Sequence, residues 1–75
     1  MDTIKELEQW MSENNISNTF TPGARYRTDE GLGLEEIYGI YIWYFIERGE
    51  RQDLRHFKSE KEAVNYVRHY LQGDK

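Results

Sequence analysis

The stretch Ile37-Tyr38-Gly39-Ile40-Tyr41-Ile42-Trp43-Tyr44-Phe45-Ile46-Glu47 decides the fold. It is dominated by the β-branched and aromatic residues that favour strands, and no proline interrupts it. Its alternation gives one mainly aliphatic face and a second face that carries Tyr41, Trp43 and Phe45. Two apolar faces are typical of a central strand. We therefore predict a strand over residues 37–47.

Turn signals bound this strand on both sides. Arg48-Gly49-Glu50 follows it, and Gly49 supplies the positive φ that hairpin turns require. The chain then returns as a predicted strand over 51–58. Upstream, Asp29 to Gly33 has the composition of a turn, and a short strand is predicted over 24–28.

A helix is predicted at each end of the chain. Thr3 and Glu6 have the spacing of a capping box, and an apolar stripe follows, which predicts a helix over 3–14. Ser59 and Glu62 repeat that spacing before a second apolar stripe, which predicts a helix over 60–72. Gly73 is placed to end the second helix.

The predicted order is helix, three antiparallel strands, helix. This is an α+β fold, a small two-layer αβββα domain spanning residues 1–75. If the helices cover the aliphatic sheet face, three aromatic residues remain exposed on the other face as an interface. The alternative is that the helices straddle the sheet and cover both faces.

Composition restricts the class of protein. The 75 residues include no cysteine, which excludes disulfides and thiolate metal sites, and this favours a cytoplasmic location. The apolar stretch without charges, 37–46, is far shorter than the roughly 20 residues of a membrane helix. Charged residues make up 32% of the chain and the net charge is −4.

Nothing in the sequence points to catalysis, a metal or a cofactor. His56 and His69 lie in different predicted elements, and neither has a nucleophile or carboxylate partner nearby in sequence. No spacing of ligands predicts zinc. Gly31-Leu32-Gly33 lacks the helix start that a phosphate-binding loop requires. We predict that the protein is not an enzyme.

Charge also disfavours nucleic acid as a partner. A nucleic-acid-binding domain is the third hypothesis, because the element order and the aromatic strand are compatible with RNA-binding modules. Residues 1–36 hold eight acidic and three basic residues, however, and no continuous basic stripe follows. A protein partner fits better, because aromatic residues anchor interfaces while charges steer association.

Two segments resemble the small immunity proteins encoded beside bacterial polymorphic toxins. They are Trp43-Tyr44-Phe45-Ile46-Glu47-Arg48-Gly49 and Phe57-Lys58-Ser59-Glu60-Lys61-Glu62-Ala63-Val64, followed by Tyr66 and Leu71. Several such families are similar in pairing an aromatic strand that ends in Glu-Arg-Gly with a Phe-x-Ser-Glu-x-Glu-Ala helix start. The resemblance covers about residues 37–71.

The resemblance implies a cytoplasmic antidote that binds a cognate toxin domain, often a nuclease, and blocks its active site. An acidic protein suits the basic surface of a nuclease. The expected contacts are six acidic residues and two aromatic anchors: Asp29, Glu30, Glu35, Glu36, Glu47, Glu50, Tyr41 and Trp43. The alternative function is a homodimeric structural or regulatory subunit that buries its aromatic sheet face against a second copy.

Overall fold

The computed structural model describes residues 1–16, 19–23 and 30–73. Its elements are α1 (Ile4–Glu13), β1 (Thr19–Phe20), β2 (Gly31–Ile37), β3 (Ile40–Glu47), β4 (Glu50–Phe57) and α2 (Glu60–Leu71). The α+β class is confirmed. The predicted strand over 24–28 and the contact residue Asp29 lie outside the described residues.

The sheet of the described residues has four strands in the order β1-β2-β3-β4. The short β1 runs parallel to β2, and the other neighbouring pairs are antiparallel, so the sheet is mixed. Pro22 follows β1 closely and has no N–H to donate to a ladder, which accounts for the shortness of β1.

The predicted boundaries around β2 are wrong. Residues 31–33 were assigned to a turn but belong to β2, and the predicted strand over 37–47 begins only at Ile40. The turn is Tyr38-Gly39, where both residues have positive φ. Gly33 serves a different purpose, because it pairs with Tyr44 and a Cβ there would collide with the Tyr44 ring.

Both helices have the predicted caps. The Thr3 hydroxyl accepts the Glu6 N–H at 3.1 Å, and the Glu6 carboxylate accepts the Thr3 N–H at 3.1 Å. Asn15 has a φ of 58°, so the chain leaves α1 through a left-handed residue. Ser59 caps α2, and Gly73 follows that helix with a φ of 68°.

The helices cover the face of β3 that carries Trp43, and not the aliphatic face that the sequence also offered. Trp43 is 0% exposed and lies in a core formed by both helices and β2: Leu7, Met11, Leu34, Trp43, Ala63, Val64 and Val67. The residues that α2 contributes to this core are short. A large ring on the sheet is therefore needed to fill the space to native density.

The register between β3 and β4 shifts at one point. Trp43 pairs with Arg55 and Tyr44 pairs with Asp53, so Leu54 has no opposite residue on β3. This β-bulge turns Arg55 toward the helices, where its guanidinium lies 5.0 Å from the centre of the Tyr66 ring. Asp53 stays on the opposite side of the sheet, which we call the outer face.

Candidate protein-binding surface

The predicted contact residues do not form one cluster. Glu35 and Glu36 lie near the Tyr38-Gly39 turn, whereas Glu47 and Glu50 flank the Arg48-Gly49 turn at the other end of the sheet. The two turns are separated by roughly 25 Å, the length of the eight-residue β3. Glu30 precedes Gly31, which pairs with Ile46, so Glu30 belongs to the Arg48 end. Glu30 therefore lies apart from Glu35 and Glu36.

Trp43 is not an exposed anchor. Its side chain is fully buried, and its indole N–H has no acceptor among the described residues. Its ring meets Tyr70 edge to face at 5.4 Å between centroids. Because the helices already bury Trp43, this ring is not available for the homodimer interface predicted from the sequence.

Tyr41 is half-buried beside the same core. Desolvation raises the pKa of its phenol, and the negative charges of Glu60 and Glu36 raise it further. These two carboxylates come from α2 and β2, so the fold brings together acidic groups that are distant in sequence. Both carboxylates therefore act on the sheet end that carries Tyr41.

The turn at this end presents the most exposed aromatic residue of the described chain. Tyr38 is 100% exposed and the neighbouring Ile37 is 41% exposed. Glu36 lies beside them, and its carboxylate accepts the Gly39 N–H at 3.3 Å. We call residues 36–40 the Tyr38 tip. The sequence prediction missed Tyr38 because it was placed inside a strand, although Tyr-Gly between two isoleucines is a detectable break in the alternation.

The outer face carries an ion-pair network over a buried ring. Arg51 contacts the Glu35 carboxylate at 2.8 Å and the Asp53 carboxylate at 2.9 Å. Its guanidinium lies 4.2 Å from the centre of the Tyr44 ring. Although burial acts to lower the pKa of Arg51, the bonds to Glu35 and Asp53 raise it above its usual value. Glu35 is thus already paired within the protein.

Isoleucine side chains occupy the rest of this face. Ile42 and Ile46 lie on the same side of β3 as Tyr44, and both are half-buried. Ile37 and Ile40, which belong to the Tyr38 tip, pair with each other. The outer face therefore joins the tip in one partly apolar surface.

A small cleft opens beside β2, where β1 ends. It has a volume of about 150 Å³ and is lined by Thr21, Pro22, Leu34, Glu35, Glu36 and Tyr44. That volume holds about five water molecules or the end of one long side chain. Arg51 already occupies the Glu35 carboxylate, so the Glu36 carboxylate is the acceptor that the cleft offers to an ammonium or guanidinium group.

The sheet end that carries the Arg48-Gly49 turn differs from the Tyr38 end in the side chains that it exposes. Its turn and flanking residues, Glu47, Arg48, Gly49 and Glu50, are all exposed. Charges of both signs alternate there, and no exposed apolar side chain accompanies them. We call residues 47–50 the Arg48 tip.

The described residues show no metal-binding cluster of histidine and acidic side chains. His56 lies 4.0 Å from Asp53 at an exposed position on β4. The absence of enzymatic activity remains a prediction from the sequence. Neither helix in the described ranges has the length and apolar character needed to cross a membrane.

Comparison with known proteins adds no assignment. No protein-family model, curated protein or solved structure matches this chain.

Proposed function

We propose that the protein is a binding module that neutralises a bacterial toxin domain by covering its active site. The observation that carries this proposal is the Tyr38 tip, where an exposed aromatic ring and an exposed isoleucine adjoin carboxylates. Large apolar anchors bordered by charge are typical of protein-binding sites. The toxin as partner class follows from the resemblance of residues 37–71 to immunity proteins.

Electrostatics supports a basic partner such as a nuclease. The net charge is −4, and Glu36 and Glu60 add negative potential around Tyr41 near the tip. Opposite charge on the partner accelerates association, which matters for capturing a lethal enzyme quickly. Inhibition by occlusion needs no chemistry from this chain.

The second candidate function is a self-associating structural or regulatory subunit. The half-buried isoleucines of the outer face favour it, since the described helices lie on the opposite side of the sheet. This form of the homodimer uses the aliphatic face instead of the aromatic one. It predicts a dimer in sedimentation analysis at micromolar concentration.

Co-expression tests the proposed function directly. We expect the gene next to this one to encode a protein that is toxic alone and harmless when this chain is co-expressed, with the two chains purifying in a 1:1 complex. Absence of a toxic neighbour, together with a dimer of this chain alone, would favour the self-associating subunit.

The charge contribution has its own test. Glu36→Lys reverses an exposed charge at the Tyr38 tip, so association with the toxin should slow several-fold and depend less on salt. Glu13→Lys is the matched control, because it changes the net charge equally at the exposed last residue of α1. Equal association rates for the two variants would remove the tip from the electrostatic contact.

A further inference from the structure

The two hairpin turns of the sheet have the same strained geometry. Each has two residues between paired strand ends, Ile37 with Ile40 and Glu47 with Glu50. In both turns the central residues have positive φ, 51° and 81° in one and 53° and 80° in the other. These values define type I′ turns, which favour Asn-Gly or Asp-Gly.

The first position of each turn holds an unfavourable residue. Tyr38 and Arg48 occupy the left-handed region, where a Cβ crowds the backbone and where asparagine is better tolerated. The Tyr38 ring is fully exposed, so it contributes no packing that offsets this strain. Residues held in sparsely populated conformations without a structural reason occur preferentially at functional sites.

Resting on the proposed function, we propose that Tyr38 is the anchor of the interface and enters an apolar pocket bordered by cationic side chains on the toxin domain. Tyrosine is enriched among the residues that dominate binding energy because it combines a large apolar area with a polar group. A two-residue turn fixes the backbone at Tyr38, so little backbone freedom is lost when the ring binds.

Charge complementarity specifies the rim of that pocket. Glu36 lies in the tip itself, and Glu60 from α2 acts on the same end of the sheet through its effect on Tyr41. In the cleft beside β2, Glu35 is already paired with Arg51, so Glu36 provides the carboxylate for one ammonium or guanidinium group. A partner with lysine or arginine around an apolar pocket satisfies both features.

The Arg48 tip provides the matched comparison. It has the same turn type and the same backbone strain but no exposed apolar side chain. Strain alone therefore does not separate the two tips. The exposed aromatic ring, which the Arg48 tip lacks, is the feature that distinguishes the Tyr38 tip.

Stability is the first measurement, and it needs no partner. Tyr38→Asn and Arg48→Asn place a favourable residue in each turn, so each should raise Tm by roughly 4 °C. A lower Tm for Tyr38→Asn would show that the ring supports the fold, and it would overturn the proposal.

Binding to the purified toxin domain, identified by co-expression with the wild-type chain, is the second measurement. Tyr38→Asn should weaken the affinity roughly 30-fold, as expected for loss of a dominant anchor, whereas Arg48→Asn should leave it within about twofold. Tyr38→Phe should retain most of the affinity if the ring is the anchor. Full affinity in Tyr38→Asn, or a loss confined to Arg48→Asn, would contradict the proposal.

Different results would contradict the proposed toxin-neutralising function and the proposed role of Tyr38 as anchor. A wild-type chain that gives no protection against the neighbouring gene product contradicts the proposed function. Protection and affinity that are equal for wild type and Tyr38→Asn contradict only the anchor.

Discussion

The two faces of β3 bury their aromatic rings by different means. Trp43 is covered by the aliphatic side chains of α1 and α2 and is 0% exposed. Its neighbour Tyr44 is 6% exposed on the outer face, where Phe20 stacks at 6.5 Å between centroids and the Arg51 guanidinium covers the ring. The two helices cover the face that carries Trp43. On the outer face, Tyr44 is covered by the aromatic side chain of Phe20 and the charged side chain of Arg51. Although both rings are buried, we expect them to contribute differently to stability because different groups cover them.

Removal of the helix-side ring should have the largest effect. Trp43→Ala leaves a cavity in the centre of the core and should cost about 3–5 kcal/mol of unfolding free energy. A domain of this size has little more than that in total, so the variant should be mostly unfolded in urea titrations at 25 °C. Trp10→Ala is the control, because Trp10 only packs at the edge of the core and should cost less. Equal losses for the two variants would contradict the assignment of Trp43 to the centre of the core.

The outer face should be sensitive to crowding beside Tyr44. In Gly33→Ala the added Cβ meets the end of the Tyr44 ring, which is buried and cannot swing away freely. The expected cost is about 1–3 kcal/mol of unfolding free energy. Combining it with Tyr44→Leu should reduce that cost, because the colliding atoms are gone. A cost that is unchanged in the double variant would assign the effect to the backbone at Gly33 instead.

The ion-pair network should contribute less than either ring. Arg51→Ala removes partly exposed bonds to two carboxylates and the contact with Tyr44, so we expect a loss of about 0.5–1 kcal/mol. The loss should shrink between 0.05 and roughly 1 M salt as the ionic part is screened. Arg48→Ala, at an exposed turn, is the control for removing one positive charge. A loss larger in high salt would contradict an ionic contribution.

The smallest expected effect is the pH dependence of stability that Glu6 of α1 contributes. The Asp2 N–H bond, followed by bonds from Thr3, lowers the pKa of Glu6 below its usual value, although desolvation acts in the opposite direction. Since the folded-state pKa is the lower one, this stabilisation is present above the unfolded-state pKa and is lost as pH falls through the folded value. Glu6→Gln should therefore be slightly less stable than wild type at pH 7 and equally stable at low pH. A difference that persists at low pH would show that the charge of Glu6 is not its source.

Local signals in the sequence predicted the helices well. The capping residues Thr3 and Ser59 and the left-handed residues Asn15 and Gly73 act over a few neighbouring residues, and the structure uses all four. The start of β3 was mispredicted because Tyr38-Gly39 has a strand-forming residue in a turn position. The sequence left the covered face of β3 open because both faces are apolar, and the choice depends on the volumes of Val64 and Val67 across the layer.

The candidate surface was less predictable than the fold. Glu35 and Glu36 were identified from charge, but pairing of Glu35 with Arg51 depends on a register that the sequence does not fix. Tyr38 was missed because it was predicted to lie inside a strand, whereas its exposure results from its position in the turn. Trp43 was predicted as a contact residue because it is a large aromatic residue, and the same property suits it to the core, where the structure places it.

The bond between the two helices has a kinetic consequence. The Glu60 carboxylate at the start of α2 accepts the Ile4 N–H at 2.8 Å, and the Asn65 amide donates to the Met1 carbonyl at 2.7 Å. These contacts join residues 56 and 64 positions apart, so they form only after the intervening sheet has brought the chain ends together. We expect α1 to dock late in folding, so that Glu60→Gln accelerates unfolding and leaves the folding rate nearly unchanged. The same order makes α1 the first element to detach from the native protein.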